Sequence, residues 1–162
     1  MRKLVLMFVS GCLLVPAISH ADAAEEVGPE LGLVLSWRLG PETVEETCRT
    51  LDPDGAETRK KALDGWLEKN AALIQEVDTR VAEVAPLAYP TPPGVDLVKE
   101  IHGQMKQILL EPLFLKKSPE ERVAICKKEA DPVSSRWNSD GKPQVPTALA
   151  ALNDWKIRQT AK

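Results

Sequence analysis

The chain has 162 residues, with 21 basic and 24 acidic side chains, a formal net charge of −3, 43% hydrophobic residues and 28% charged residues. That length and balance suit one soluble domain and exclude collagen-like, low-complexity and fully disordered classes. Seven residues are aromatic and four of these are Trp, so the core must come mainly from Leu, Val, Ile and Ala, a composition that favours packed helices over sheets.

The first 21 residues have the three parts of a secretory signal. Arg2 and Lys3 form the charged start, Leu4 to Ile18 the apolar run, and Ser19-His20-Ala21 a small-residue exit; cleavage is expected after Ala21, with Ala23 as the alternative. The run is too short and too interrupted by Ser10, Gly11 and Pro16 for a spanning helix, which needs roughly 20 apolar residues. No integral membrane span is therefore expected in the mature chain. Val9-Ser10-Gly11-Cys12 offers an alternative, because it matches the short motif at which bacterial lipoproteins are cut and acylated on the Cys. Removing residues 1–21 takes away two bases and no acid, so the net charge moves from −3 to about −5. No basic stripe remains, which argues against a nucleic-acid partner. Cys48 and Cys126 are the two cysteines left, and an even number in an exported chain implies a single disulfide.

Along the mature chain, residues 22–40 are expected to comprise an N-terminal arm, small and acidic up to Glu30, and a short apolar segment, Leu31 to Leu39. The apolar segment is compatible with a buried helix or a strand. Gly40-Pro41 interrupts it, and residues 41–162 are expected to form the single helical domain. Pro41 with Glu42, Glu45 and Glu46 marks a helix start, and Val44, Cys48 and Leu51 form its buried stripe. Asp52-Pro53-Asp54-Gly55 ends that helix. Asp54, with Glu57 three residues on, is expected to cap the next one, which the periodicity of Leu63, Trp66, Leu67, Asn70, Leu73, Ile74, Val77, Val81 and Val84 extends over about 56–84. Unbroken, it would be about 43 Å long.

Pro86 is expected to stop that helix, and the proline-dense stretch to Gly94 to be an extended connector. Asp96 caps a further helix with a stripe of Leu97, Val98, Ile101, Met105, Ile108 and Leu109, which Pro112 kinks or ends. Ser118-Pro119-Glu120-Glu121 is another start signal, followed by Val123, Cys126 and Ala130 on the buried side. A polar loop carrying Trp137 then leads to a closing helix capped by Thr147, with Ala148, Leu149, Leu152 and Trp155 inward. The expected fold is all-α: a bundle of four to five helices with one long helix over about 56–84, tied by one disulfide.

Catalytic patterns are missing. There is no G-x-S-x-G, no Gly-rich phosphate loop and no H-E-x-x-H, so no catalytic residue is assigned and no cofactor is expected. Asp52-x-Asp54-Gly55 lacks the remaining ligands of a calcium loop and reads as a turn. His102 and Met105, three residues apart, could offer copper a nitrogen and a sulfur, but a site wants more ligands than these two. Trp37, Trp66 and Trp155 lie on apolar stretches and read as core, which leaves Trp137 as the candidate partner contact.

Cys48, Pro53, Leu63, Trp66, Asn70 and Ile74 form a pattern of Cys, a short Pro-containing turn and an amphipathic helix with W-x-x-x-N. It resembles small exported helical proteins of proteobacteria, most of them without an assigned function, and the resemblance implies fold and compartment only. Asn70, one turn from Trp66, is expected to satisfy a structural partner. Together these features predict an exported, periplasmic or secreted, helical binding protein acting on a protein partner in the cell envelope, as an inhibitor, immunity-type or accessory protein. A small-ligand or copper carrier is the alternative, and an unrecognised hydrolase the third reading.

Overall fold

A helical stretch that is apolar nearly all round must be surrounded, and Leu31–Leu39 is such a stretch inside a longer helix. The structure, a computed structural model, describes residues 20–92, 95–130 and 144–161. Helix α1 (His20–Leu51) runs for 32 residues, about 48 Å at 1.5 Å per residue, and passes through both Pro29 and Pro41. Around it pack α2 (Ala56–Lys69), α3 (Ala71–Ala88), α4 (Leu97–Leu110), α5 (Pro119–Ala130) and α6 (Gln144–Thr160). Short turns of 3-10 helix (Pro53–Gly55) and π-helix (Glu111–Leu115) complete the secondary structure of the described residues, which include no strand. The fold is an all-α helical bundle, as the composition implies.

The core has two parts, both built on α1. The larger joins Val27, Leu31, Val34, Leu35 and Trp37 of α1 to Trp66 of α2, to Val77, Val81 and Val84 of α3 and to Leu149, Leu152 and Trp155 of α6. The smaller gathers Val44, Cys48, Phe114 and Cys126. Cys48 and Cys126 are fully buried and joined by a disulfide, with their Cα atoms 5.3 Å apart across a sequence separation of 78.

Several expectations are corrected. Residues 22–40 are neither an arm nor a separate segment. Ala23, Val27 and Leu31 are buried at four-residue spacing, and the Glu26 carboxylate accepts from Trp155 Nε1 at 2.9 Å and from Arg158 Nη2 at 2.6 Å on α6. Gly40-Pro41 does not break the helix, although Pro41 cannot donate to the Trp37 carbonyl and a Pro in a helix interior costs about 3 kcal/mol. Burial of Val34, Leu35, Leu39 and Val44 on either side, at about 1.5–3 kcal/mol for each large side chain, outweighs that cost.

The expected long helix over 56–84 is two helices. At Asn70 (φ −105°, ψ 10°) the side-chain amide donates to the Trp66 carbonyl at 2.8 Å, while the Asn70 backbone N–H reaches the same oxygen at 3.1 Å. Such local back-bonding competes with the regular ladder. The longest of the described helices is α1 instead. Pro86 also fails to stop α3, which continues to Ala88 because Ala85 and Ala88 are buried and Tyr89 N–H still reaches the Ala85 carbonyl.

Asp54 does not cap α2; its N-cap is Gly55, with no side-chain cap. Thr147 lies inside α6, which begins at Gln144 because Val145 is fully buried and Pro146 falls in the first turn, where no N–H is needed. Asp96 does cap α4, accepting from Lys99 N–H at 3.1 Å. Ser118 and Glu121 form a reciprocal capping box at the start of α5. Pro112 falls in the π-helical turn that ends α4, where Lys116 N–H reaches the Glu111 carbonyl five residues back.

Polar ties from α1 fix its neighbours in place. Arg38 pairs with Asp78 of α3 at 3.1 Å, and Glu46 with Lys106 of α4 at 3.0 Å. Lys156 of α6 reaches Glu83 of α3 at 2.9 Å, and this hydrogen bond holds the Glu83 carboxyl below its ordinary pKa. No helix among the described residues is long and apolar enough to cross a membrane.

The disulfide closes a loop with a sequence separation of 78, so Cys126→Ser should lower unfolding free energy by about 4 kcal/mol in urea titration under non-reducing conditions. Unchanged stability would contradict a structural role for the bond.

Candidate functional site

The most concentrated polar chemistry lies at the turn between α1 and α2, and none of its groups is free. Arg59, 3% exposed, donates from Nε to Glu45 Oε2 at 3.0 Å and from Nη1 to Asp52 Oδ2 at 2.6 Å. Its Nη2 donates to the backbone carbonyls of Cys48 (3.1 Å) and Asp52 (2.6 Å). Glu45 and Asp52 are buried with it, and Arg49 stands 3.5 Å from the second oxygen of Glu45. A buried guanidinium engaged in this way at all three nitrogens, beside a disulfide, presents no nucleophile to a substrate. Its work is structural: it satisfies the carbonyls where α1 ends and pairs two acids that burial would otherwise penalise. Sequence reasoning assigned Glu45 and Asp52 to a helix start and a turn and missed Arg59, because the chain reverses between them and no helical spacing connects the three.

A second concave feature is an apolar groove of about 480 Å³ between α1, the connector after α3, and α4. Gly28, Leu31, Gly32 and Leu35 of α1 supply one wall at i, i+3, i+4 and i+7. Leu97, Ile101, Met105 and Ile108 of α4 supply the other at the same helical period, and Tyr89, Pro92 and Val95 close one side. The groove exists because α1 presents two glycines here. A Cβ on Gly32 would meet no atom within 4 Å, so that glycine answers no packing need inside the protein. At Gly28 the nearest atom is Tyr89 Oη at 3.6 Å, and the same hydroxyl lies 3.4 Å from the Ala24 carbonyl.

Polar groups on the lining are few: Tyr89, Thr91, Glu100 and Gln104, with Gln104 Nε2 3.4 Å from Glu100 Oε1. Among the described lining residues Glu100 is the one carboxylate, with no His, Cys or Ser to complete a catalytic pair. A smaller notch of about 270 Å³ between α1 and α6 is lined by Glu26, Glu30, Asp154, Trp155 and Arg158, but its polar groups are largely used in the Glu26 tie to α6.

The structure separates the residues singled out from the sequence. Trp66 is buried and packs on Trp37, with ring centroids 5.0 Å apart at a tilt of 54°. Asn70 bonds the Trp66 carbonyl. Met105 packs against the larger core and lines the groove, whereas His102, half-buried on α4, is not among the lining residues, so the two do not converge on the groove. Among the described residues no cluster of three or more His, Cys, Asp or Glu side chains could hold a metal ion. Trp137, Cys12 and the expected signal up to Ser19 lie outside the described residues. The groove itself was not anticipated; the available signal was Gly28-x-x-x-Gly32 facing the apolar stripe of α4. Compared with known proteins, the chain matches no family model, no curated protein and no solved structure.

Arg59→Met removes the cation and leaves two acids buried, so stability should fall by about 3–5 kcal/mol. A denaturation midpoint within error of the parent would show that the cluster is not buried as described.

Proposed function

We propose that this protein is an exported helical binding protein that holds a small apolar or amphiphilic molecule in the groove between α1 and α4. The carrying observation is the groove: about 480 Å³, apolar on both walls, with a few polar groups at its edge. Small-ligand sites have this character and span roughly 300–1,000 Å³. Export is supported by the charged, apolar and small-residue succession in residues 1–21 and by the buried disulfide, a bond that persists in oxidising compartments.

A protein partner in the cell envelope is the second reading. It is favoured by Val95 and Ile108, which are 42% and 59% exposed at the groove. The volume favours the small molecule, because a stable protein interface buries on the order of 1,200 Å² or more of total surface.

Protein purified from its own host and examined by native mass spectrometry should carry a small molecule. Gly32→Leu, which puts a side chain into the groove, should be free of it. Gly32→Ala adds one Cβ in open space and should raise stability by about 0.5–1 kcal/mol in urea, since Gly is poor in helix interiors. A Gly32→Leu protein that folds and still retains the molecule would overturn the proposal, as would a parent that carries nothing and binds no apolar dye in the groove.

A further inference from the structure

We propose that the groove selects a single-chain amphiphile with a cationic head, its chain lying over Val95, Ile101, Met105 and Ile108 and its head beside Glu100. This inference rests on the reading of the groove as a ligand site and adds the chemistry of the ligand.

Charge complementarity carries it. Among the described lining residues Glu100 is the one carboxylate, Tyr89 carries a phenol, and there is no Lys, Arg or His. The nearest bases on the same helix are placed elsewhere: Lys106 is paired with Glu46 of α1 at 3.0 Å, and Lys99 is exposed and outside the lining. A carboxylate or phosphate head seated on these apolar walls would find no compensating cation and would face the Glu100 charge. An ammonium or amine head gains that charge.

Position agrees with the division of labour along α4. Leu97, Ile101, Met105 and Ile108 repeat at three- and four-residue spacing, with Glu100 and Gln104 one turn apart beside them. Gln104 Nε2 lies 3.4 Å from Glu100 Oε1 and gives the carboxylate a neutral neighbour without cancelling its charge. Thr91, from the connector on the other side, is neutral as well. Leu31 and Leu35 are covered by the protein itself and back the groove, whereas Ile101 and Met105 are half-buried and Val95 and Ile108 exposed, so these four offer a chain its apolar surface while a head beside the exposed Glu100 stays in contact with water.

The test is calorimetric titration of the full protein, below micelle concentrations, with dodecyltrimethylammonium, dodecanoate and neutral dodecyl maltoside. At low ionic strength the cationic probe should bind about fivefold or more tightly than dodecanoate, the scale expected when an exposed attraction replaces an exposed repulsion. The preference should shrink as salt is added. Glu100→Gln should abolish this preference in a protein that still binds dodecyl maltoside. Equal or tighter binding of dodecanoate, or a preference that survives Glu100→Gln, would overturn the head-group assignment. If dodecyl maltoside binds, Gly32→Leu excludes it and the cation shows no advantage, the groove reading stands and this inference falls. If none of the three binds the parent, both fall.

Discussion

The rest of the structure depends on one constraint: α1 has to remain a single helix while the bundle closes around its middle. The five other described α-helices all pack on it. Between Val34 and Glu45 its buried positions include Trp37, Leu39, Gly40, Pro41, Thr43 and Val44, so almost no side of the helix is left for solvent. A strand in that position would leave its backbone groups in need of partners, and a broken helix would expose carbonyls inside the core. The helix satisfies its own backbone, and the loss of one donor at Pro41 is small beside the area its neighbours bury.

At the far end of α1 the same helix meets a harder problem, because its terminal carbonyls and two acids are buried beside the disulfide. Arg59 answers both needs with one side chain. It bonds the carbonyls of Cys48 and Asp52 and the carboxylates of Glu45 and Asp52, using the planar fork that a lysine lacks. The disulfide, the guanidinium and Phe114 thus make a second, smaller core whose covalent and ionic links compensate for its few apolar residues.

The groove is the counterpart of that closure. Where α1 and α4 face one another, Gly28 and Gly32 withhold side chains that would have filled the space, and Gly32 does so without an internal packing reason. A helix that tolerates a glycine costing about 1 kcal/mol, at a site bordered by an apolar stripe and one carboxylate, keeps a preformed concavity at some expense in stability.

Composition and periodicity were enough to determine the helical class, the helices bearing Val44, Val77, Ile101 and Leu152, the caps at Asp96 and Ser118, and the pairing of Cys48 with Cys126, because each of these is set by local chemistry or by the count of cysteines. Helix boundaries at prolines and turns were not legible. Pro41 and Pro86 read as stops from local propensity and were overruled by burial, while Asn70, which read as part of a continuous stripe, interrupted it by bonding the Trp66 carbonyl. The Arg59 cluster and the groove were decided only by the tertiary structure. Both bring together residues from separate elements, Glu45 bonded to Arg59 and Gly32 facing the same groove as Met105, and such neighbourhoods depend on how helices cross, which no spacing along a single helix encodes.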